Sequence, residues 1–307
     1  MMASGNRLRH RLLLLFGSLV VVLGTLAWAP PETGAEGQVV HHDPPVSALP
    51  TVPAARSIAA APLTDYAFYP PTATGTQPVR LLVVLHGMGG SGPDMATGLL
   101  SLAQAQGWAV LAPTMPYRDF RDPELVRQDG ALLPRLKALI DDLPGRTGLT
   151  FGSKVVLFGF SRGSQEAIRF SLMYPDVTLG VAGLSAGSYT LPATTYKLAA
   201  TDSAEPLRYP FGTADVATIC GRAFDPEAAR RVAYWIGVGG TDTRVEDVPR
   251  QWDRYVGDDR VERARRYVEL LQQFGARATF ELFPNAGHEV TEPMRVEAVR
   301  FLASLSS

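Results

Sequence analysis

The pattern Gly-x-Ser-x-Gly occurs twice in the chain, at Gly159-Phe160-Ser161-Arg162-Gly163 and at Gly183-Leu184-Ser185-Ala186-Gly187. A serine flanked in this way suits a tight turn from a strand into a helix. Bulky residues two positions either side would collide, and the helix N-terminus beneath the hydroxyl favours developing negative charge. Both copies follow an apolar run, so the flanks decide between them. Ser164-Gln165-Glu166-Ala167-Ile168-Arg169-Phe170 after the first copy is a good helix. Ser188-Tyr189-Thr190-Leu191-Pro192 after the second has no helical period and soon reaches a proline. The expected nucleophile is Ser161, with Ser185 a small residue closing the next strand near the site.

A hydroxyl becomes a useful nucleophile only when a positioned base takes its proton. Of five histidines, His10, His41 and His42 lie in the first 42 residues, which leaves His86 and His288. His86 opens His86-Gly87-Met88-Gly89-Gly90-Ser91-Gly92, a glycine-rich turn whose backbone N–H groups suit an oxyanion hole; no Lys-Ser/Thr pair follows to make it a phosphate loop. His288, in Pro284-Asn285-Ala286-Gly287-His288-Glu289, is the base by elimination. Its carboxylate partner is expected at Asp242, which follows an apolar run through Gly239-Gly240-Thr241. Asp247 is the rival on the same loop, whereas Asp215 and Asp225 precede that run and fall at the opposite end. Serine, acid, histidine is the chain order that a Gly-x-Ser-x-Gly nucleophile turn calls for.

These residues need a frame that brings them to one edge. Apolar runs at 80–85, 108–112, 154–158, 178–184, 231–239 and 277–283 read as strands buried on both faces, and 65–69 as an antiparallel edge strand. Helix-period stretches at 93–106, 124–143, 162–174, 260–274 and 293–305 alternate with them. Strand and helix in alternation predict an α/β fold, a mostly parallel sheet of about six parallel strands with helices on both faces. In such a sheet chemistry gathers beyond the carboxyl ends of the strands. Ser161, His86, Asp242 and His288 each follow an apolar run.

From about residue 63 to the end the chain resembles the α/β-hydrolase superfamily. The resemblance rests on the Leu85–Gly92 turn, Gly159–Gly163, Gly239–Asp242 and Asn285–Glu289. It looks most like extracellular esterases related to polyhydroxybutyrate depolymerases and to the carboxylesterase/phospholipase group. The resemblance implies that the backbone N–H groups of Met88 and Arg162 hold the oxyanion, and that no cofactor or metal takes part. It also implies ester hydrolysis through an acyl-serine. A peptidase, amidase or thioesterase on the same fold stays open, as does, more remotely, a non-catalytic surface binding module. The stretch from 185 to 230 holds Pro192, Pro206, Pro210 and Pro226, which argues for a short irregular lid or open cleft rather than a helical cap. Tyr189, Tyr196, Tyr209 and Phe211 are candidates to line it, or equally to serve as local packing.

Net charge is −1, with 46% apolar and 19% charged residues. That balance fits a filled core and offers no basic stripe for nucleic acid. Arg7, Arg9 and Arg11 precede an uncharged apolar stretch from 12 to 29, the pattern of a signal peptide or membrane anchor that places the rest of the chain outside the cytoplasmic membrane. Ala27-Trp28-Ala29 resembles a cleavage site, although Pro30 and Pro31 should hinder a peptidase; Thr33-Gly34-Ala35 is a second candidate. Without residues 1–29 the chain holds 26 basic and 30 acidic residues. Residues 30–62 read as a Pro/Ala-rich linker and 63–307 as the catalytic domain, with membrane contact only through the N-terminal segment. The only cysteine, Cys220, rules out an intramolecular disulfide and reads as a small buried hydrophobe.

Overall fold

The computed structural model describes residues 60–73, 75, 77–197 and 204–306. The leader at 1–29 and nearly all of the linker at 30–62 lie outside the described residues. Seven strands form one sheet: β1 (Tyr66–Tyr69), β2 (Leu81–Leu85), β3 (Ala109–Pro113), β4 (Val155–Phe160), β5 (Thr178–Leu184), and then, beyond a two-stranded ribbon of β6 (Thr195–Lys197) and β7 (Ala204–Pro206), β8 (Ala233–Gly239) and β9 (Arg277–Phe283). The order across the sheet is β1-β3-β2-β4-β5-β8-β9. β1 pairs antiparallel with β3, and every other pairing in this sheet is parallel.

Among the described residues there are ten α-helices, nine before the last strand and one after it: α1 (Gly92–Thr97), α2 (Leu100–Ala105), α3 (Pro123–Asp129), α4 (Leu132–Thr147), α5 (Arg162–Met173), α6 (Ala217–Cys220), α7 (Pro226–Arg230), α8 (Asp253–Val256), α9 (Arg260–Phe274) and α10 (Glu292–Ala303). Alternate strand residues face opposite sides. Leu82, Val84, Val110, Val156 and Phe158 pack with Ala103 of α2 and Met294, Ala298 and Leu302 of α10. Leu81, Val83, Leu85, Leu111 and Leu157 pack with Leu136 and Leu139 of α4, Ile168 of α5 and Val268 and Leu271 of α9. Two cores, one per face, explain why the inner strands read as unbroken apolar runs rather than alternating ones.

Two predicted helices divide. The stretch 93–106 becomes α1 and α2, broken at Gly98, and 124–143 becomes α3 and α4, broken at Gly130. Glycine is a poor helix residue, and at both places the backbone stays right-handed while an added Cβ would crowd a neighbour, Arg295 at Gly98 and Tyr209 at Gly130, each at 3.0 Å. Among its described residues the excursion from β5 to β8 holds only short elements, and residues 185–193 are all buried. Another excursion crosses the top of the sheet. The loop after β3 reaches the turns after β8, where Gln251 donates Nε2–H to the carbonyl of Arg121 at 3.3 Å. Strands β2, β4 and β5 lie between those two points of origin. Among the described residues no helix is long and apolar enough to cross a membrane.

Candidate active site

Ser161 caps α5 at the end of β4 with φ 52° and ψ −115°, a conformation that costs a non-glycine residue about 1–3 kcal/mol. Its surroundings hold it there. The Ser161 amide donates to the carbonyl of Leu184 at 2.8 Å, which ties the turn to β5. A Cβ on Gly159 would lie 2.4 Å from the carbonyl oxygen of Gly163, and one on Gly163 would lie 2.1 Å from that of Leu85. Close packing of backbone on backbone accounts for both glycines. It also sets the turn after β2 directly beside the serine.

Ser185 is the only other non-glycine described residue with positive φ, at 50°. The second Gly-x-Ser-x-Gly therefore bends like the first. It lacks a following helix, however, and its serine is fully buried. The Ser185 hydroxyl has no close hydrogen-bond partner and lies near enough to the Asp242 carboxylate to favour its charge.

His288 places Nε2 3.0 Å from Ser161 Oγ and Nδ1 2.7 Å from Asp242 Oδ2. Three bonds stitch the acid loop to the base loop. Gly240 donates to the carbonyl of Phe283 at 2.7 Å, and the amide and hydroxyl of Thr241 donate to the carbonyl of Ala286 at 3.0 and 2.9 Å. β8 and β9 are neighbours in the sheet, so residues 46 apart in sequence meet at its edge. The Phe160 ring lies 4.9 Å from the imidazole, centroid to centroid, and supports it from below. Asp247 is elsewhere: its carboxylate faces Arg244 at 3.3 Å and its carbonyl accepts from Arg260.

Asp242 is 4% exposed, and Arg260, 5% exposed, donates Nη1–H to its Oδ1 at 2.9 Å. Both carboxylate oxygens are thus engaged. Burial alone would raise this carboxyl, but the His288 hydrogen bond, the Arg260 charge and the Ser185 hydroxyl together hold it below the usual carboxylate range. Arg260 went unnoticed in the sequence, where it reads as one more charge at the start of a helix. The signal available was its place in the first turn of a helix that begins beside the acid loop.

His86 has a different task. Its Nε2 accepts from the amide of Met115 at 2.8 Å, so its Nδ1 carries the proton and donates to the carbonyl of Gly87 at 2.6 Å. That carbonyl shares a peptide plane with the amide of Met88, and fixing one fixes the other. Burial pushes this imidazole down, against the Gly87 bond and the charges of Asp65 and Asp94. Arg162 is the first residue of α5, so its amide has no acceptor within the helix. Its side chain turns inward and pairs with Asp129 at 2.7 Å and Glu166 at 2.8 Å. Glu166 also receives Arg169 at 2.7 Å, and all four charges are buried.

The aromatic candidates separate from the site. Tyr189 is fully buried with its ring stacked on Tyr267 at 4.3 Å, and its carbonyl accepts from Trp252. Tyr209 is buried beneath the guanidinium of Arg169, and Tyr196 packs edge-on against Tyr255. Phe211 packs between Trp252 and Tyr255. Tyr189, Tyr196 and Tyr209 belong to the interior and Phe211 is partly buried; the stretch at 188–190 is pinned by Arg169 to Ser188 and Thr190, whereas Ala204–Pro206 and Arg208 are exposed. Among the described residues no group of three or more His, Cys, Asp or Glu side chains is placed to hold a metal ion.

A family model described as the alpha/beta hydrolase family matches residues 82–300, most of the chain and every residue of this site. The chain belongs to the alpha/beta hydrolase family. Several solved alpha/beta-type structures share its fold. Poly(aspartic acid) hydrolase-1 from Sphingomonas sp. KT-1 aligns at 19% identity over 78% of this chain and 91% of that one, with a TM-score of 0.56. Esterase PE8 aligns at 19% identity over 79% and 99%, with a TM-score of 0.51. A CE1 ferulic acid esterase from Anaeromyces mucronatus aligns at 13% identity over 78% and 84%, also at 0.51. No curated protein matches the chain.

Proposed function

We propose that this hydrolase cleaves carboxylic esters through an acyl-serine intermediate. The observation that carries the reading is the alignment of Ser161, His288 and Asp242 at 3.0 and 2.7 Å, on a serine held at positive φ. Ser161 Oγ attacks the ester carbonyl as His288 Nε2 takes its proton. The carbonyl oxygen becomes an oxyanion, held by the Met88 and Arg162 amides. His288 returns the proton to the leaving alcohol, and the acyl group stays on Ser161. A water then attacks the acyl carbonyl as His288 takes its proton, and His288 passes that proton to Ser161 Oγ as the C–Oγ bond breaks and the acid leaves. Asp242 fixes the tautomer of His288 and stabilises the imidazolium in each half-reaction.

The test is a panel of p-nitrophenyl esters of increasing chain length, with a soluble polyester, a feruloyl ester and an anilide added, run on wild type, Ser161→Ala and Ser185→Ala. Ester turnover lost in Ser161→Ala and mostly kept in Ser185→Ala is the expected result. Labelling of Ser185 by a serine-reactive phosphonate would overturn the assignment, and anilide turnover exceeding that of the esters would move the reading to an amidase.

The same reading places residues 63–307 outside the cytoplasmic membrane, on a leader that is cleaved or retained. Its support is the three arginines before an uncharged apolar stretch. Mass spectrometry of the native N-terminus after fractionation distinguishes an intact anchor in the membrane from a chain starting near Glu36 in the medium. Full-length protein soluble in the cytoplasm would refute export.

A further inference from the structure

We propose that Arg260 is a positioning residue that sets the lower pH limit of turnover by holding the outer oxygen of Asp242. The inference rests on the Ser161–His288–Asp242 reading above and deepens it.

A carboxylate facing one imidazole can present its full negative charge to that ring. Asp242 is not in that state. Oδ2 faces His288 Nδ1 at 2.7 Å and Oδ1 accepts from Arg260 Nη1 at 2.9 Å, with Arg260 and Asp242 both buried. The second guanidinium nitrogen donates to the carbonyl of Asp247 at 2.8 Å, so the arginine is anchored at two points and the carboxylate cannot rotate without breaking a buried charge pair. An arginine keeps its charge throughout the working pH range. Its field therefore opposes protonation of the imidazole at every pH at which the enzyme works. Since the base must be neutral to accept the Ser161 proton, that field extends activity to lower pH.

The other charged or titratable groups around Asp242 do not supply this effect. From the end of β5 comes only the neutral Ser185. From the base loop, Glu289 is turned to the amide of Gly287 at 3.3 Å. On the acid loop, Arg244 is exposed and paired with Glu246 and Asp247. Arg263, one turn along α9, spends its donors on the carbonyls of Gly257, Gly187 and Pro249 and on Asp253. The neighbouring Tyr189 hydroxyl is buried and neutral, since burial raises it well above the ordinary range. The lowered carboxyl of Asp242, to which Arg260 contributes, agrees with the geometry.

The guanidinium charge stands about 7 Å from the imidazole, across the carboxylate. The experiment measures, as a function of pH, ester turnover and the rate at which a fluorophosphonate labels Ser161, in full-length wild type, Arg260→Gln and Arg260→Lys, with Arg260→Met in reserve if the glutamine variant does not fold. The expected result is an acidic limb moved upward by about one unit or more when the charge is removed, and a limb that stays with wild type in Arg260→Lys whatever its kcat. Slower charge-removed variants with an unmoved limb would make Arg260 a structural tie for the Asp247 loop and overturn the proposal. So would a lysine variant shifted as far as the glutamine one. A wild type that is not labelled at Ser161 would instead defeat the reading of function, and the inference with it.

Discussion

Replacing Gly163 by alanine adds one methyl group where the serine turn meets the turn after β2. The new Cβ would stand 2.1 Å from the carbonyl oxygen of Leu85 and 2.5 Å from that of His86, whereas real contacts of this kind stay above 3.0 Å. The two backbones must therefore part by about 1 Å. Neither is free to yield: one lies in the first turn of a fully buried helix and the other ends a central strand. Overpacking against such rigid neighbours costs roughly 3 kcal/mol. For a domain of this size that lowers Tm by roughly 6–12 °C. The same 1 Å separates Ser161 from the Met88 amide, and a misplacement of that size costs on the order of 10²-fold in rate. Gly187, at the matching place in the second motif, is the control, because a Cβ there would find nothing closer than 3.5 Å. Gly187→Ala should remain within about 1 kcal/mol of wild type. Thermal melts, p-nitrophenyl acetate turnover and phosphonate titration of active serine compare the three proteins. A Gly163→Ala variant with wild-type kcat would refute the reasoning, because it would mean that the closeness of the two turns does not matter to the chemistry.

Three further outcomes are expected. Asp242→Asn should keep the fold and lower kcat by about 10⁴-fold while Asp247→Asn changes it little, measured by steady-state ester kinetics; the reverse ranking would transfer the role to Asp247. His86→Phe should leave the Met115 amide and the Gly87 peptide unheld, costing about 1–3 kcal/mol and lowering kcat more than it changes KM. Because burial depresses the His86 imidazole, its stabilising contribution is complete above the unfolded value of about 6.5 and lost as pH falls through the folded value. Denaturation midpoints of wild type should accordingly drop below about pH 6.5, and the first part of that drop should be missing in His86→Phe. Cys220 has its thiol raised by burial and should react slowly with iodoacetamide at neutral pH, a rate that rises only on unfolding.

The sheet was readable because both of its faces are covered. Continuous apolar runs such as Leu81–Leu85 and Val155–Phe158 leave no alternation to misread, and their spacing already implies the crossovers. Ser161, Asp242 and His288 could be singled out because glycine-rich turns mark where each strand ends. What stayed hidden depends on distance in space rather than pattern in sequence. Arg260 looks like a solvated charge until α9 is seen to start against the acid loop. The positive φ of Ser185 follows from β5 ending like β4, which its non-helical flank conceals. Tyr189, Tyr196, Tyr209 and Phe211 were open between cleft and core, and the burial of Tyr189 goes with Arg169 reaching Ser188 and Thr190 from inside α5. The divisions at Gly98 and Gly130 were missed because the apolar period continues through them.

Every one of the twelve residues of α5 is buried, including Arg162, Gln165, Glu166 and Arg169. Most helices keep a watery side on which substitutions are nearly free, and through which a lineage can wander without penalty. This one has none. Loss of either partner in its buried ion pairs strands a charge at a cost of about 3–5 kcal/mol, a large part of a domain's whole margin. The helix that carries the serine is therefore closed to gradual change. Novelty in what this scaffold accepts has more room at the exposed positions of the crossing loop, such as Arg118, Asp119 and Arg121, and of the turns after β8, such as Arg244 and Val245, than at the buried anchors Met115, Val248 and Trp252 beside them.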